Sequence, residues 1–106
     1  MTEAAAGQPQ GQQMQVQVKD DKVHTIYSNM VRLYPGPNME ELIIDFTMMT
    51  PSAQQAETVV MEVNTRVAMN YFAAKRLALH LSQAVQRYEQ QFGPIELDPR
   101  RRLKQG

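Results

Sequence analysis

The sequence contains no cysteine, and its charges balance: eleven Lys and Arg residues stand against eleven Asp and Glu residues, for a formal net charge of zero. Without cysteine the chain can form no disulfide, thiolate nucleophile or cysteine metal site, and its redox compartment stays undetermined. Without net charge it has no overall field that would attract nucleic acid, an anionic membrane or an acidic substrate. A charged partner is therefore expected to bind only locally.

Long apolar runs are also missing. No stretch approaches the roughly 20 residues that a membrane-spanning helix requires. The opening Met-Thr-Glu-Ala-Ala-Ala lacks the basic and apolar regions of a secretory signal. We therefore expect a chain that is neither exported by that route nor inserted in a membrane, with the cytoplasm as its default location.

The residue patterns on which catalytic sites are commonly built are absent from the sequence. It has no glycine-rich phosphate loop, no Gly-x-Ser-x-Gly elbow and no nucleophile and base pair. His24 and His80 are its two histidines, and neither belongs to a cluster of residues at metal-ligand spacing. We expect no enzymatic activity, no cofactor and no metal site.

The length of 106 residues fits one small domain with a modest core. Residues 1–13 consist largely of Gln, Ala, Gly and Pro, so no buried apolar surface would offset the entropy lost on ordering them. The sequence predicts a disordered tail over residues 1–13, a single α+β domain over residues 14–94, and a flexible basic tail over residues 95–106.

Alternation of apolar and polar residues predicts three β-strands in the domain, and an abundance of β-branched and aromatic residues predicts a fourth over residues 23–34. The predicted strands cover residues 14–18, 23–34, 41–49 and 57–68. Lys19-Asp20-Asp21-Lys22 would form the first turn, and Pro35-Gly36-Pro37-Asn38 the second, because its two prolines cannot donate hydrogen bonds to a sheet. Four consecutive strands predict an antiparallel meander.

From Asn70 onward the apolar residues recur at three- and four-residue steps, which is typical of an amphipathic helix. The apolar positions are Ala74, Leu77, Leu81, Val85, Tyr88 and Phe92. Asn70 is a favourable first cap and Gly93-Pro94 a favourable end, so one helix of about 22 residues, or roughly 33 Å, is predicted. The predicted fold is ββββα, with the helix covering one face of the sheet.

Four blocks of sequence resemble a small bacterial family, the domain of unknown function three-four-six-seven. The blocks are Tyr27-Ser28-Asn29, Glu40-Glu41-Leu42-Ile43-Ile44-Asp45-Phe46, Ala74-Lys75-Arg76-Leu77 and Arg87-Tyr88-Glu89-Gln90-Gln91-Phe92-Gly93. The resemblance covers residues 23–102 and implies a compact domain with no assigned activity or cofactor. The order of four strands and a helix is also similar to the subunit plan of the bacterial export chaperone SecB, an analogy of fold alone.

The alternation assigns the strand residues to two faces. Leu42, Ile44, Phe46 and Met48 share the face that the helix would cover. The opposite face holds the candidate interface residues, which are Ile26, Met30, Arg32, Ile43, Asp45, Met49, Val60, Glu62 and Arg66. A monomer would expose this mixed apolar and charged patch, so we expect a homo-oligomer, preferably a dimer, with a monomer shielded by its tails as the alternative.

Asp45 lies between two apolar residues and invites two interpretations. A buried carboxylate with a shifted pKa could act in acid and base chemistry. We expect instead a structural role, in which Asp45 pairs with Arg32 or Arg66 on the same sheet face, or with the opposite charges of a second copy. Ser28 and Asn29 likewise predict a bulge or a cross-strand hydrogen bond, with a ligand site as the alternative.

The function predicted from these features is a non-catalytic interaction or scaffold module that acts through homo-oligomerisation and binds an unknown protein partner. One alternative is a SecB-like holdase, which could bind apolar segments through some of the eight methionines. The other is weak nucleic-acid binding through the basic residues Arg100, Arg101, Arg102 and Lys104, although no aromatic side chains accompany them.

Overall fold

The structure is a computed structural model that describes residues 14–101. These residues form three strands and one long helix, namely β1 (Met30–Pro35), β2 (Glu41–Pro51), β3 (Val59–Asn70) and α1 (Tyr71–Phe92). The strands form one antiparallel sheet in the order β1-β2-β3. The predicted α+β class, an antiparallel sheet followed by a helix, is confirmed. The tail predicted over residues 1–13, and residues 102–106 of the tail predicted over residues 95–106, lie outside the described residues.

The prediction of four strands is wrong, because the described chain has three. Residues 14–18 lie outside the sheet despite their alternating pattern, and the strand predicted over residues 23–34 is reduced to β1. The strands predicted over residues 41–49 and 57–68 correspond to β2 and β3, with ends shifted by about two residues, as is usual for boundaries taken from sequence.

The side chain of Asn29 explains why β1 begins so late. Its Nδ2 donates a hydrogen bond to the carbonyl oxygen of Met49 at 3.1 Å, and its Oδ1 accepts one from the Met49 N–H at 2.8 Å. Ser28 Oγ accepts a third bond, from the N–H of Thr47, at 3.1 Å. These side chains bond the backbone N–H and C=O groups of β2 that a longer first strand would bond. The predicted cross-strand hydrogen bond is confirmed.

The pairing of β2 with β3 contains a bulge. Phe46 pairs with Thr65, whereas the next residue, Thr47, pairs with Val63, so Asn64 is an additional residue in β3. An extra residue reverses the direction of every side chain beyond it. The residues of β3 before Asn64 therefore lie on the opposite faces from those that uninterrupted alternation predicts.

Both predicted ends of the helix are confirmed. Asn70 ends β3 and caps α1, with its Oδ1 accepting a hydrogen bond from the N–H of Ala73 at 2.8 Å. At the other end Gly93 adopts a φ of 94°, which favours glycine, and its N–H donates to the carbonyl of Glu89 at 2.8 Å.

The predicted covering of the sheet by the helix is wrong for the described chain, in which no residue of α1 is buried. Since α1 begins at Tyr71, directly after β3, no loop returns the chain over the sheet. Ile43 and Ile44 are the buried apolar residues of residues 14–101. The radius of gyration is 18.8 Å, whereas a compact domain of this length has about 13 Å.

We expect Asn29→Ala to destabilise the sheet at the start of β1. The variant loses both side-chain bonds to Met49, each a modest stabilising interaction, so the thermal midpoint should fall by roughly 5 °C. Amide hydrogen exchange at Met49 should become faster. The control is Asn64→Ala, in the exposed bulge of β3, which should change neither quantity appreciably. Unchanged exchange at Met49 in Asn29→Ala would contradict this account of the strand end.

Candidate interaction surface

Asp45 lies at the centre of the sheet, and the register places an arginine directly opposite it on each side. Its Cα partners are Arg32 in β1 and Arg66 in β3. Arg66 Nε donates to Oδ1 at 2.7 Å, and Arg32 Nη2 donates to Oδ2 at 2.7 Å. Further bonds to Oδ2 come from Arg32 Nε at 3.1 Å, Arg66 Nη2 at 3.2 Å and the Tyr34 hydroxyl at 3.2 Å. One carboxylate therefore connects all three strands.

The surroundings of Asp45 stabilise its ionised form. Its side chain is fully buried, whereas those of Arg32 and Arg66 are about half exposed. The hydrogen bonds from Arg66 and from Arg32 hold the pKa of the Asp45 carboxyl well below its usual range, although burial acts in the opposite direction. Asp45 in turn raises the pKa of both guanidinium groups.

Tyr34 is the member of this cluster that sequence reasoning missed. The guanidinium carbons of Arg32 and Arg66 lie 5.3 and 5.9 Å from the centre of its ring, within the range of cation–π attraction. The sequence could have indicated this role, because Tyr34 lies two residues after Arg32 in the same strand and alternation places both side chains on one face. Tyr34 packs over the two arginines and donates its hydroxyl to the same carboxylate.

The chemistry of this arrangement is structural. Five hydrogen bonds converge on one carboxylate, which offers about four acceptor positions. A saturated carboxylate with a lowered pKa is a poor proton acceptor. The predicted pairing of Asp45 with Arg32 or Arg66 is found with both arginines, within one chain.

The register gathers most, but not all, of the candidate interface residues on one surface, which we call the Asp45 face. Of the predicted residues, those on this face are Met30, Arg32, Ile43, Asp45, Met49 and Arg66, joined by Tyr34, Thr47, Met61 and Val63. Its exposed apolar residues include Met30, Met61 and Val63, whereas Ile43 is buried. The Asp45 face thus combines exposed apolar side chains with two half-exposed arginines that share one buried carboxylate, so the cluster keeps one excess positive charge.

Val60 and Glu62 lie on the opposite surface, which we call the Phe46 face, because the bulge at Asn64 reverses their direction. Assigning them to the Asp45 face was therefore wrong. The Phe46 face consists of Val31, Leu33, Leu42, Ile44, Phe46, Met48, Val60, Glu62, Thr65 and Val67.

Ile26 precedes β1 and belongs to neither strand face. It lines an open cleft together with Phe46 and Thr65, so it lies on the side of the Phe46 face. Its expected place beside Met30 was wrong, because the chain leaves the sheet at Asn29.

The remaining candidate groups form no cluster with the surface. Within residues 14–101 no set of three His, Asp or Glu side chains is arranged to hold a metal ion. Arg100 and Arg101 lie near Asp98 and Glu96, with charged atoms 3.7 and 3.9 Å apart. None of the helices in the described part of the chain combines the length and apolar character needed to cross a membrane.

The lowered pKa of Asp45 predicts a pH-dependent contribution to stability. Because the folded-state pKa lies below the ordinary value of about 4, the contribution is complete at neutral pH and disappears as the pH falls from about 4 towards that lower value. We expect Asp45→Asn to lower the thermal midpoint at pH 7 by roughly 10 °C or more, since it leaves two arginines without their partner. At pH 2 the difference from the unaltered chain should be much smaller.

Calorimetry or circular dichroism at both pH values measures this effect. The control is Asp98→Asn, which removes an exposed carboxylate near Arg100 and should change the midpoint little at either pH. A difference for Asp45→Asn that is the same at both pH values would show that the charge of Asp45 does not provide the stabilisation.

Comparison with known proteins gives a family and no individual relative. The sequence profile of the proteins of unknown function DUF3467 matches residues 1–97. No curated protein and no solved structure matches the chain. The matched residues include all four blocks that suggested the resemblance, the last of which ends at Gly93. The chain belongs to the DUF3467 family of proteins of unknown function.

Proposed function

We propose that this protein is a non-catalytic interaction module that works as a homo-oligomer, preferably a dimer. The observation that carries the proposal is the scarcity of burial, with Ile43 and Ile44 as the buried apolar residues of the described chain. Small domains depend on burial to offset the entropy lost on folding. Association with a second copy supplies burial that one copy lacks.

The helix provides an exposed apolar surface for this association. Leu81, Val85, Tyr88 and Phe92 form its apolar stripe, and each is between 44% and 65% exposed. The rings of Tyr88 and Phe92 lie 4.8 Å apart and form one continuous apolar area. A stripe of this kind on a helix usually packs against another element. We therefore place the stripe in the interface.

The chain exposes more surface than a compact protein of its mass. Its accessible surface is 9806 Å², whereas a compact protein of 12.1 kDa has about 6,000 Å². The excess includes residues 14–27, which are exposed and lie outside the sheet, and the exposed side chains of α1. A standard interface removes about 800 Å² from each partner.

The pairing of Asp45 within its own chain is compatible with a role of the Asp45 face in association. Asp45 is already paired within its own chain, so covering Met30, Met61 and Val63 would not bury an isolated carboxylate. This differs from the expected pairing of arginines with carboxylates of a second copy. We propose the Asp45 face as a second part of the interface.

A holdase remains the second candidate function, because exposed apolar side chains also suit the binding of unfolded segments. Nucleic-acid binding receives less support, since Asp98 and Glu96 lie near the arginines at 100 and 101. A holdase would suppress the aggregation of an unfolded client, whereas an assembly subunit would not.

Two leucines of the helix allow a matched test of self-association. Leu79 and Leu81 are both 54% exposed, but they lie on opposite sides of α1. We expect Leu81→Glu to weaken the dimer at least tenfold, because the charge would be buried in the interface, and Leu79→Glu to leave it unchanged. Light scattering at micromolar concentrations measures the mass of each variant.

Met30 and Val31 form a second matched pair, with similar exposure on opposite sheet faces. If the Asp45 face is in the interface, Met30→Glu weakens the dimer and Val31→Glu does not. The reverse result would exclude that face. A monomeric mass for the unaltered chain would overturn the proposed function itself.

A further inference from the structure

The segment before β1 has the pattern of a strand but no partner within the described residues. Met14, Val16 and Val18 alternate with glutamines, and their exposed fractions are 68%, 88% and 78%. We call residues 14–18 the arm. Its backbone forms no sheet hydrogen bond with residues 14–101. An extended segment with alternating side chains is suited to joining the edge of a sheet.

The outer edge of β3 offers such a place. β3 has twelve residues and pairs with β2 on one side, and no other segment of the described chain pairs with its outer side. An uncovered edge of this length leaves a row of backbone donors and acceptors available to another strand. Within β3 the first five residues, 59–63, precede the bulge and form a regular stretch.

The arm and this stretch match in length and pattern. Each has five residues, with apolar side chains at the first, third and fifth positions. In the stretch these are Val59, Met61 and Val63, which lie on the Asp45 face and are exposed. When the two segments are aligned end to end, Val16 lies beside Met61 whether the strands are parallel or antiparallel.

We propose that the arm of one copy adds as a strand to the outer edge of β3 in a second copy, beside residues 59–63. The arm then extends the Asp45 face with Met14, Val16 and Val18, while Gln15 and Gln17 face the side of Glu62. Two copies provide two arms and two edges, so the exchange closes as a two-fold dimer and leaves neither edge uncovered. This proposal rests on the self-association proposed above and names its contact.

The absence of cysteine makes a direct test possible, since any introduced cysteine is the single thiol of its chain. Val16→Cys is co-expressed with Met61→Cys and oxidised under mild conditions. Neighbouring strands bring Cα atoms to about 4.5–5.5 Å, which is compatible with a disulfide. We expect a disulfide between the two chains. The control pair, Val16→Cys with Val60→Cys, should not form it efficiently, because Val60 lies on the opposite face.

Three results would overturn the proposal, and they distinguish it from the proposed function. A dimeric mass with no preference for Met61→Cys over Val60→Cys excludes the arm but leaves self-association intact. A disulfide that forms within one chain carrying both Val16→Cys and Met61→Cys, and not between chains, shows that the arm covers its own β3. A monomeric mass without any disulfide overturns both proposals.

A second measurement tests the backbone contact separately. Backbone N–H groups of successive residues in a strand point to opposite sides, so Val16→Pro removes a donor that faces β3 if the arm is antiparallel, and Gln17→Pro does so if it is parallel. One of these two variants should raise the dimer dissociation constant at least tenfold, without changing the far-ultraviolet circular dichroism of the helix. A dissociation constant that is unchanged in both variants would argue against a paired arm.

Discussion

The buried side chains of this chain are concentrated in the middle of β2. The sheet depends on the interaction that joins β1 and β3 to that segment. Ile43, Ile44, Asp45 and Thr47 are the buried side chains of the described residues. A charged residue is costly at such a position unless its hydrogen bonds are satisfied. Asp45 meets this condition because Arg32 in β1 and Arg66 in β3 both donate hydrogen bonds to it. The same hydrogen bonds fix the register of the three strands. A slip of one residue would carry the arginines to the other face.

The helix ends that the sequence predicted correctly depend on residues close together in the chain. Asn70 and Gly93 define the ends of the helix because each acts on backbone groups within four residues. The pairing of Asp45 with arginine could also be predicted, since simple alternation within β1 and β2 places Arg32 and Asp45 on the same face. The helix ends need no knowledge of a distant contact, and the pair of Arg32 and Asp45, 13 residues apart, needs only the face of each strand.

The errors arise where a distant contact overrides a local pattern. The alternation in residues 14–18 is typical of a strand, but these residues do not pair with the sheet of their own chain, so the predicted strand is absent there. The side chain of Asn29 forms the hydrogen bonds to the Met49 backbone that the backbone of a longer first strand would form, and alternation does not reveal this. The bulge at Asn64 has no signature in the apolar pattern, and it alone moves Val60 and Glu62 to the other face.

The proposed self-association would explain the mismatch between the apolar pattern and the observed burial. Ordering the backbone costs about 1–2 kcal/mol for each residue, and the burial of apolar side chains is the main contribution that offsets this cost. The described chain buries Ile43 and Ile44, whereas many apolar side chains of the sheet and the helix stay exposed. In the proposed dimer the helix stripe, the Asp45 face and the arm supply further burial. If they meet in a dimer, folding and association are one equilibrium, and the stability of the chain is inseparable from its concentration.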